Sequence, residues 1–210
     1  MKYISQLIGI IKLGRPRTWV FSIMAFYIGW ALTNNLSYLD LMTGVIIFSF
    51  CTGGTNLINA YSDIKEDSIN LPKRVKLVNK IGRENVLLYS LAFFIIAFIF
   101  SMRFNYQFII IYIITTFFAI FYSIPPFRFK SNAFFATVIF SGPVFFGLMC
   151  GWFSIIKNSF LDIPLLIIFL GYWFLTYGTI KNLPDYYGDK TAGIRNSATI
   201  FSTIKKSSYF

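Results

Sequence analysis

Apolar residues run along this chain in long blocks, without the alternation of a half-buried strand or the narrow stripe of a surface helix. A helix that crosses a bilayer needs about 20 mostly apolar residues. Six stretches meet or approach that length: residues 19–33, 41–60, 86–102, 108–124, 133–153 and 163–183. The first is short, and its span could begin nearer Leu13. No small-residue cleavage site follows it, so it reads as a span and not as a removable leader. The pattern predicts an all-α, polytopic membrane helix bundle of about six transmembrane helices.

The polar segments between the blocks test that count. With the N-terminus in the cytoplasm, 17 of the 19 basic residues fall on the inner side, and only Arg103 and Lys157 fall outside. One missed or invented span would spoil this positive-inside skew. The net charge of +11 then needs no nucleic acid, because the basic loops face an anionic inner leaflet. Composition agrees. Charged residues are 13% of the chain, against about 25% in soluble domains. There is no histidine, which excludes Ser-His-Asp and Cys-His catalysis and His-ligated zinc or haem. Cys51 and Cys150 lie far apart inside apolar runs and read as small buried residues.

The acids carry the chemistry. Of eight, Asp40 and Asp162 belong to outer loops and six to the inner side. Four of those form two pairs at spacing four, Asp63 with Asp67 and Asp185 with Asp189, each directly after an apolar span. On a helix, i and i+4 share a face, where two carboxylates repel. A lone pair of this kind is commonly a solvated helix end beside lysines; two such pairs at the same depth weigh against that reading. Asn59, Asp63 and Asp67 make one oxygen-bearing stripe at i, i+4 and i+8, and Pro72 marks the exit from it. Around the second pair, Gly188 and Gly193 loosen the backbone, while Lys190 and Arg195 offer positive charge to an anion. Hard oxygen donors aimed at one spot suit Mg²⁺, which binds through one or two carboxylates plus substrate phosphates. Four carboxylates and a diphosphate ester bring about −7 to one pocket, so two Mg²⁺ ions and several cations are needed to hold them together.

These stretches resemble the paired aspartate motifs of the UbiA superfamily of intramembrane aromatic prenyltransferases. Asn59, Asp63 and Asp67 are similar to its Asn-x3-Asp-x3-Asp element after the second helix. Asp185, Asp189 and Gly193 are similar to its Asp-x3-Asp-x3-Gly element after the sixth, and Asn70, Pro72 and Arg74 to the first motif's continuation. Tyr122, Pro125, Pro126, Arg128 and Lys130 resemble the Tyr-x-x-Pro-Pro-x-Arg-x-Lys element after the fourth helix, and Arg15-Pro16 the family's opening. Ala60 stands where an aspartate is common, and Val75–Val78 replace the usual Pro-Ser-Gly turn. The resemblance makes residues 1–210 one membrane-embedded prenyltransferase-like domain, lacking the last of the family's usual nine helices.

The resemblance implies transfer of a prenyl group from a prenyl diphosphate to an acceptor, usually an electron-rich aromatic ring, by Mg²⁺-assisted ionisation. Asp63, Asp67, Asp185 and Asp189 would be the metal-binding and catalytic carboxylates, holding two ions. Asn59, Arg15, Arg74, Tyr122, Arg128, Lys130, Lys190 and Arg195 would bind substrate. Tyr61, Tyr122, Tyr186 and Tyr187 could present π faces to the allylic cation, or form an interfacial belt. The implied setting is the cell membrane, with the motifs on the cytoplasmic side. Two other readings compete. One is a truncated, non-catalytic member that binds a prenyl diphosphate or partner helices. The other is a transporter, disfavoured because the acids sit at span ends and not at the midplane.

Overall fold

A computed structural model describes residues 2–34, 37–155 and 159–208; Lys157 lies outside them, as do the side chains of Lys2 and Lys181. Among the described residues every regular element is helical. The chain runs through α1 (Lys2–Leu13), α2 (Trp19–Ala31), α3 (Tyr38–Ser62), α4 (Ile64–Asn70), α5 (Pro72–Ile81), α6 (Arg83–Ser101), α7 (Tyr106–Ser123), α8 (Ala133–Trp152), α9 (Leu165–Lys181), α10 (Tyr186–Thr191) and α11 (Ile204–Ser207).

Helices α2, α3, α6, α7, α8 and α9 coincide with the six apolar blocks. Four of them, α3, α6, α7 and α8, are long and apolar enough to cross a membrane unaided. The other two fall short of the expectation. Helix α2 has 13 residues and α9 has 17, about 20 and 26 Å at 1.5 Å per residue, against a hydrocarbon core of about 30 Å. Nor does the first span begin at Leu13, which closes α1. Gly14 breaks away, Arg15 takes a left-handed backbone at φ 51°, and a 3-10 turn over Pro16–Thr18 starts the next helix. Trp19 Nε1 and Asn56 Nδ2 both donate to the freed carbonyl of Gly14, at 2.7 and 3.0 Å, so the break is satisfied by partners the local sequence does not reveal.

The bundle is apolar outside as well as inside. Ile95 and Ile99 on α6, and Phe169 and Trp173 on α9, stay exposed. Such surfaces need a hydrocarbon solvent. Inside, one apolar core runs from Ile58 and Ala119 to the end of the bundle remote from the acid pairs, where Phe104 stacks on Phe108 with centroids 4.3 Å apart. At that end Asn105 caps α7 and ties it to the carbonyl of Phe153 at 2.7 Å, and Arg103 pairs with Asp40 at 2.9 Å. A smaller core of Ile10, Leu13, Leu57, Val78, Ile81 and Val86 locks α1 and α5 against the C-terminal end of α3 and the N-terminal end of α6.

Helix α8 crosses α2 at backbone distance. A Cβ on Gly29 would overlap the Leu148 carbonyl, and one on Gly151 the Phe26 carbonyl. Small residues at a helix crossing allow this close approach. Gly151→Val should therefore cost at least about 1–3 kcal/mol by overpacking. The expected readout is loss of the monodisperse folded species in detergent, with a matched change at exposed Gly193's neighbour Ala192 tolerated.

Candidate active site

The first acid stretch is not one helix. Helix α3 stops at Ser62, and Asp63 leaves helical geometry at φ −95°, ψ 23° while its N–H still bonds the Asn59 carbonyl at 3.0 Å. Helix α4 restarts at Ile64, and Pro72 opens α5 in its first turn. The expected i, i+4, i+8 stripe is thus bent at its middle residue. Asp185 occupies the equivalent place before α10, with Asp189 one turn on.

Asn70 joins the two stretches. Its Nδ2 donates to the Asp185 carbonyl at 3.1 Å, and the Gly188 N–H donates to its Oδ1 at 3.0 Å. Gly188 does not loosen the chain. It is buried, and a Cβ there would overlap the Asn70 amide, so its lack of a side chain lets α10 meet α4. Gly193, at φ 74°, does take the left-handed region. Sequence reasoning had Asn70 only as a motif continuation and missed the clamp.

Cations from the turn between α7 and α8 reach the first acid stretch. Lys130 Nζ contacts Asp63 Oδ1 at 2.5 Å and Glu66 Oε1 at 3.0 Å. Arg128 Nη2 contacts the same Glu66 oxygen at 2.5 Å. Arg74 pairs with Asp67 at 2.9 Å and donates to the Asn56 carbonyl at 3.2 Å. Ser62 also donates to Asp63 at 2.5 Å. In the second stretch, Asn196 donates to Asp189 at 2.6 Å. Lys190 turns away, to the Tyr186 hydroxyl at 2.6 Å and the Ser202 carbonyl at 2.7 Å. Arg195 is exposed.

Electrostatics follow this crowding. Burial raises the Asp67 carboxyl to about 6, with Asp63 and Asp185 adding to the shift and Arg74 opposing it. Burial also pushes Glu66 upward, but Lys130 and Arg128 outweigh it and hold this carboxyl below its ordinary value. Burial and the neighbouring Arg74 lower Arg15, against the pull of Asp185 and Asp67. Residues from four separate segments therefore share one electrostatic site.

A cavity of about 310 Å³ opens beside it. Arg15 stands at its lining, with Ser22, Thr52, Asn56 and Asn59 forming a polar wall on α2 and α3. Phe118, Tyr122, Phe140 and Phe146 face them from α7 and α8. Of the four motif tyrosines, only Tyr122 reaches this lining. Tyr61 lies under Arg83 at 4.5 Å, Tyr186 donates to the Phe201 carbonyl at 3.1 Å, and Tyr187 is exposed.

Several buried oxygen and nitrogen atoms here lack a hydrogen-bond partner among the described residues: Asn59 Oδ1, Glu66 Oε2, Asp67 Oδ2 and Arg74 Nε. Asp67 Oδ2 has its ion pair with Arg74 but not the alignment of a hydrogen bond. The orphaned oxygens leave lone pairs that an ion or ligand can use, and Arg74 Nε a donor for an anion. No three acidic side chains among the described residues come close enough to enclose a metal. The donor set fits Mg²⁺ all the same, since that ion takes one or two hard carboxylates and completes its shell with phosphate and water.

The sequence profile of the UbiA prenyltransferase family matches residues 18–209. The chain belongs to this family. Its fold is that of a UbiA homolog from Archaeoglobus fulgidus bound to DMAPP and Mg²⁺, at TM-score 0.80 and 20% identity over 95% of this chain and 71% of that one. The same homolog bound to GPP and Mg²⁺ matches at TM-score 0.80 and 21% identity, with the same coverage of 95% and 71%. A digeranylgeranylglyceryl phosphate synthase matches at TM-score 0.73 and 21% identity, over 98% of this chain and 72% of its own. None of the curated proteins matches significantly. UbiA proteins are membrane proteins, as the apolar surface of this bundle requires.

Proposed function

We propose that this UbiA protein transfers a prenyl group from a prenyl diphosphate to an aromatic acceptor, with Mg²⁺ held by Asp63, Asp67, Asp185 and Asp189. The observation that carries the reading is the Asn70 clamp, which sets both acid stretches beside a cavity with one polar and one aromatic wall. The relatives bound to DMAPP or GPP with Mg²⁺ support it.

The charge balance favours two ions. Asp63, Glu66, Asp67, Asp185 and Asp189 face Arg15, Arg74, Arg128 and Lys130, a net of −1. A diphosphate ester adds about −3, and two divalent ions return the site to about zero. Bound there, Mg²⁺ supplies Lewis-acid stabilisation of the departing diphosphate. The chain does the rest. Arg128, Lys130 and Arg74 bind phosphate oxygens, with arginine able to do so bidentately. Asn59 offers its orphaned amide oxygen at the cavity edge. Phe118, Tyr122, Phe140 and Phe146 exclude water and turn π faces to an allylic cation, each contact contributing about 1–2 kcal/mol when desolvated. The skew of basic residues supports a cytoplasmic side for this site and for the N-terminus.

The test is binding of geranyl or geranylgeranyl diphosphate to the purified chain, with Mg²⁺ or with EDTA. Repulsion of about 4 kcal/mol per close charge pair at intermediate dielectric makes metal dependence steep, so EDTA should weaken binding at least about 100-fold. A folded helical chain that binds neither lipid at any Mg²⁺ concentration overturns the reading.

A further inference from the structure

Glu66 is an inner acid that no motif position accounts for. It is 3% exposed, deeper than Asp63 or Asp67. A carboxylate at that depth is not tolerated without partners. Glu66 Oε1 takes both Arg128 and Lys130, while Oε2 is buried with no hydrogen-bond partner among the described residues. The two cations stand on one turn. Arg128 holds a left-handed backbone there, at φ 41°, a conformation that a non-glycine residue keeps only when its surroundings impose it.

Lys130 is shared. Besides Glu66 it holds Asp63 Oδ1, one of the oxygens assigned above to metal. A metal ion on that oxygen displaces the ammonium. If Asp63 were its sole acidic partner, Lys130, itself 7% exposed, would be left buried and unpaired. Glu66 removes that obstacle, because its second oxygen can take the bond that Asp63 gives up.

We propose that Glu66 is a positioning residue, the fixed counter-ion that keeps Arg128 and Lys130 at the phosphate site while Asp63 passes from ammonium to metal. The inference rests on the prenyl diphosphate reading above. It makes Glu66 act through the two cations and not on the substrate.

Two titrations test it on the full chain in detergent, Mg²⁺ alone and geranyl diphosphate in EDTA. Glu66→Gln should weaken Mg²⁺ binding about tenfold, since Asp63 becomes the one carboxylate left to Lys130. The same variant should tighten metal-free geranyl diphosphate binding about tenfold, since the cations lose a competing charge. A merely structural lesion weakens both. Should Glu66→Gln not fold, Glu66→Asp keeps the charge but shortens its reach. It should then weaken Mg²⁺ binding while leaving metal-free diphosphate binding at or above wild type. Either folded variant that matches wild type in both titrations, or weakens both, overturns the proposal. Wild-type chain that binds no geranyl diphosphate even with Mg²⁺ would instead overturn the prenyl diphosphate reading, and the Mg²⁺ titration would still decide the part of Glu66.

Discussion

Asp63→Asn and Asp185→Asn should each abolish Mg²⁺-dependent binding of a prenyl diphosphate and lower prenyl transfer by about 10³-fold or more, without unfolding the chain. The size follows from losing one hard anionic ligand at a site whose metal supplies several kcal/mol to the departing diphosphate. The sign follows from charge. Asn keeps the shape and one oxygen but cannot hold a divalent ion against the cations already present. Folding should survive in the first variant because Lys130 keeps Glu66. It should survive in the second because Asn70 bonds the backbone carbonyl of Asp185 and not its side chain. The control is Asp40→Asn, which breaks the ion pair to Arg103 at the opposite end of the bundle. An exposed pair of that kind is worth about 0–1 kcal/mol and touches no part of the site. The measurement is isothermal titration with geranyl diphosphate at saturating Mg²⁺, beside the thermal stability of each variant. Wild-type binding by Asp185→Asn would remove the second acid stretch from the site.

The fold was legible where one physical constraint dominates. A block of apolar residues 18 or more long has few other fates, and α3, α6, α7 and α8 lie where such blocks lie. Legibility failed at α2, because its start is set by Asn56 and Trp19 reaching back to the Gly14 carbonyl. Those are tertiary contacts without a local signature. The acid pairs were legible because eight acids in a chain this apolar leave little room for chance. Their geometry was not. Spacing of four suggested a straight stripe, whereas Asp63 ends one helix and precedes the next. The tyrosines show the limit most clearly. Adjacency to a motif in sequence left all four open to one cation or to an interfacial belt, yet Tyr61 and Tyr186 spend their faces and hydroxyls on Arg83 and the Phe201 carbonyl. Glu66 was passed over because its role depends on Arg128 and Lys130, on one turn of chain more than 60 residues away.

The junction between the two acid stretches makes the second large prediction. Gly188→Ala should lower Mg²⁺-dependent prenyl diphosphate binding at least about 100-fold, since two or more kcal/mol is a modest figure for driving a side chain into a packed amide. The new Cβ overlaps the Asn70 amide, so either that amide swings out and the clamp is lost or α10 lifts off α4, and both loosen Asp185 and Asp189 from Asp63 and Asp67. Asn70→Ala should be milder. It strips partners from the Gly188 N–H and the Asp185 carbonyl, a cost of about 1–3 kcal/mol, but imposes no overlap. The double variant is the decisive one. Once Asn70 is Ala the space that Gly188→Ala needs is vacant, so the second change should cost little, and the pair should bind no worse than Asn70→Ala alone. Contacting residues show coupling of about 0.5–3 kcal/mol, and here the coupling should favour the double variant. Independent, additive losses would mean that the two residues do not face each other. Because they are 118 positions apart and on helices of seven and six residues, nothing but this contact could produce a compensating sign.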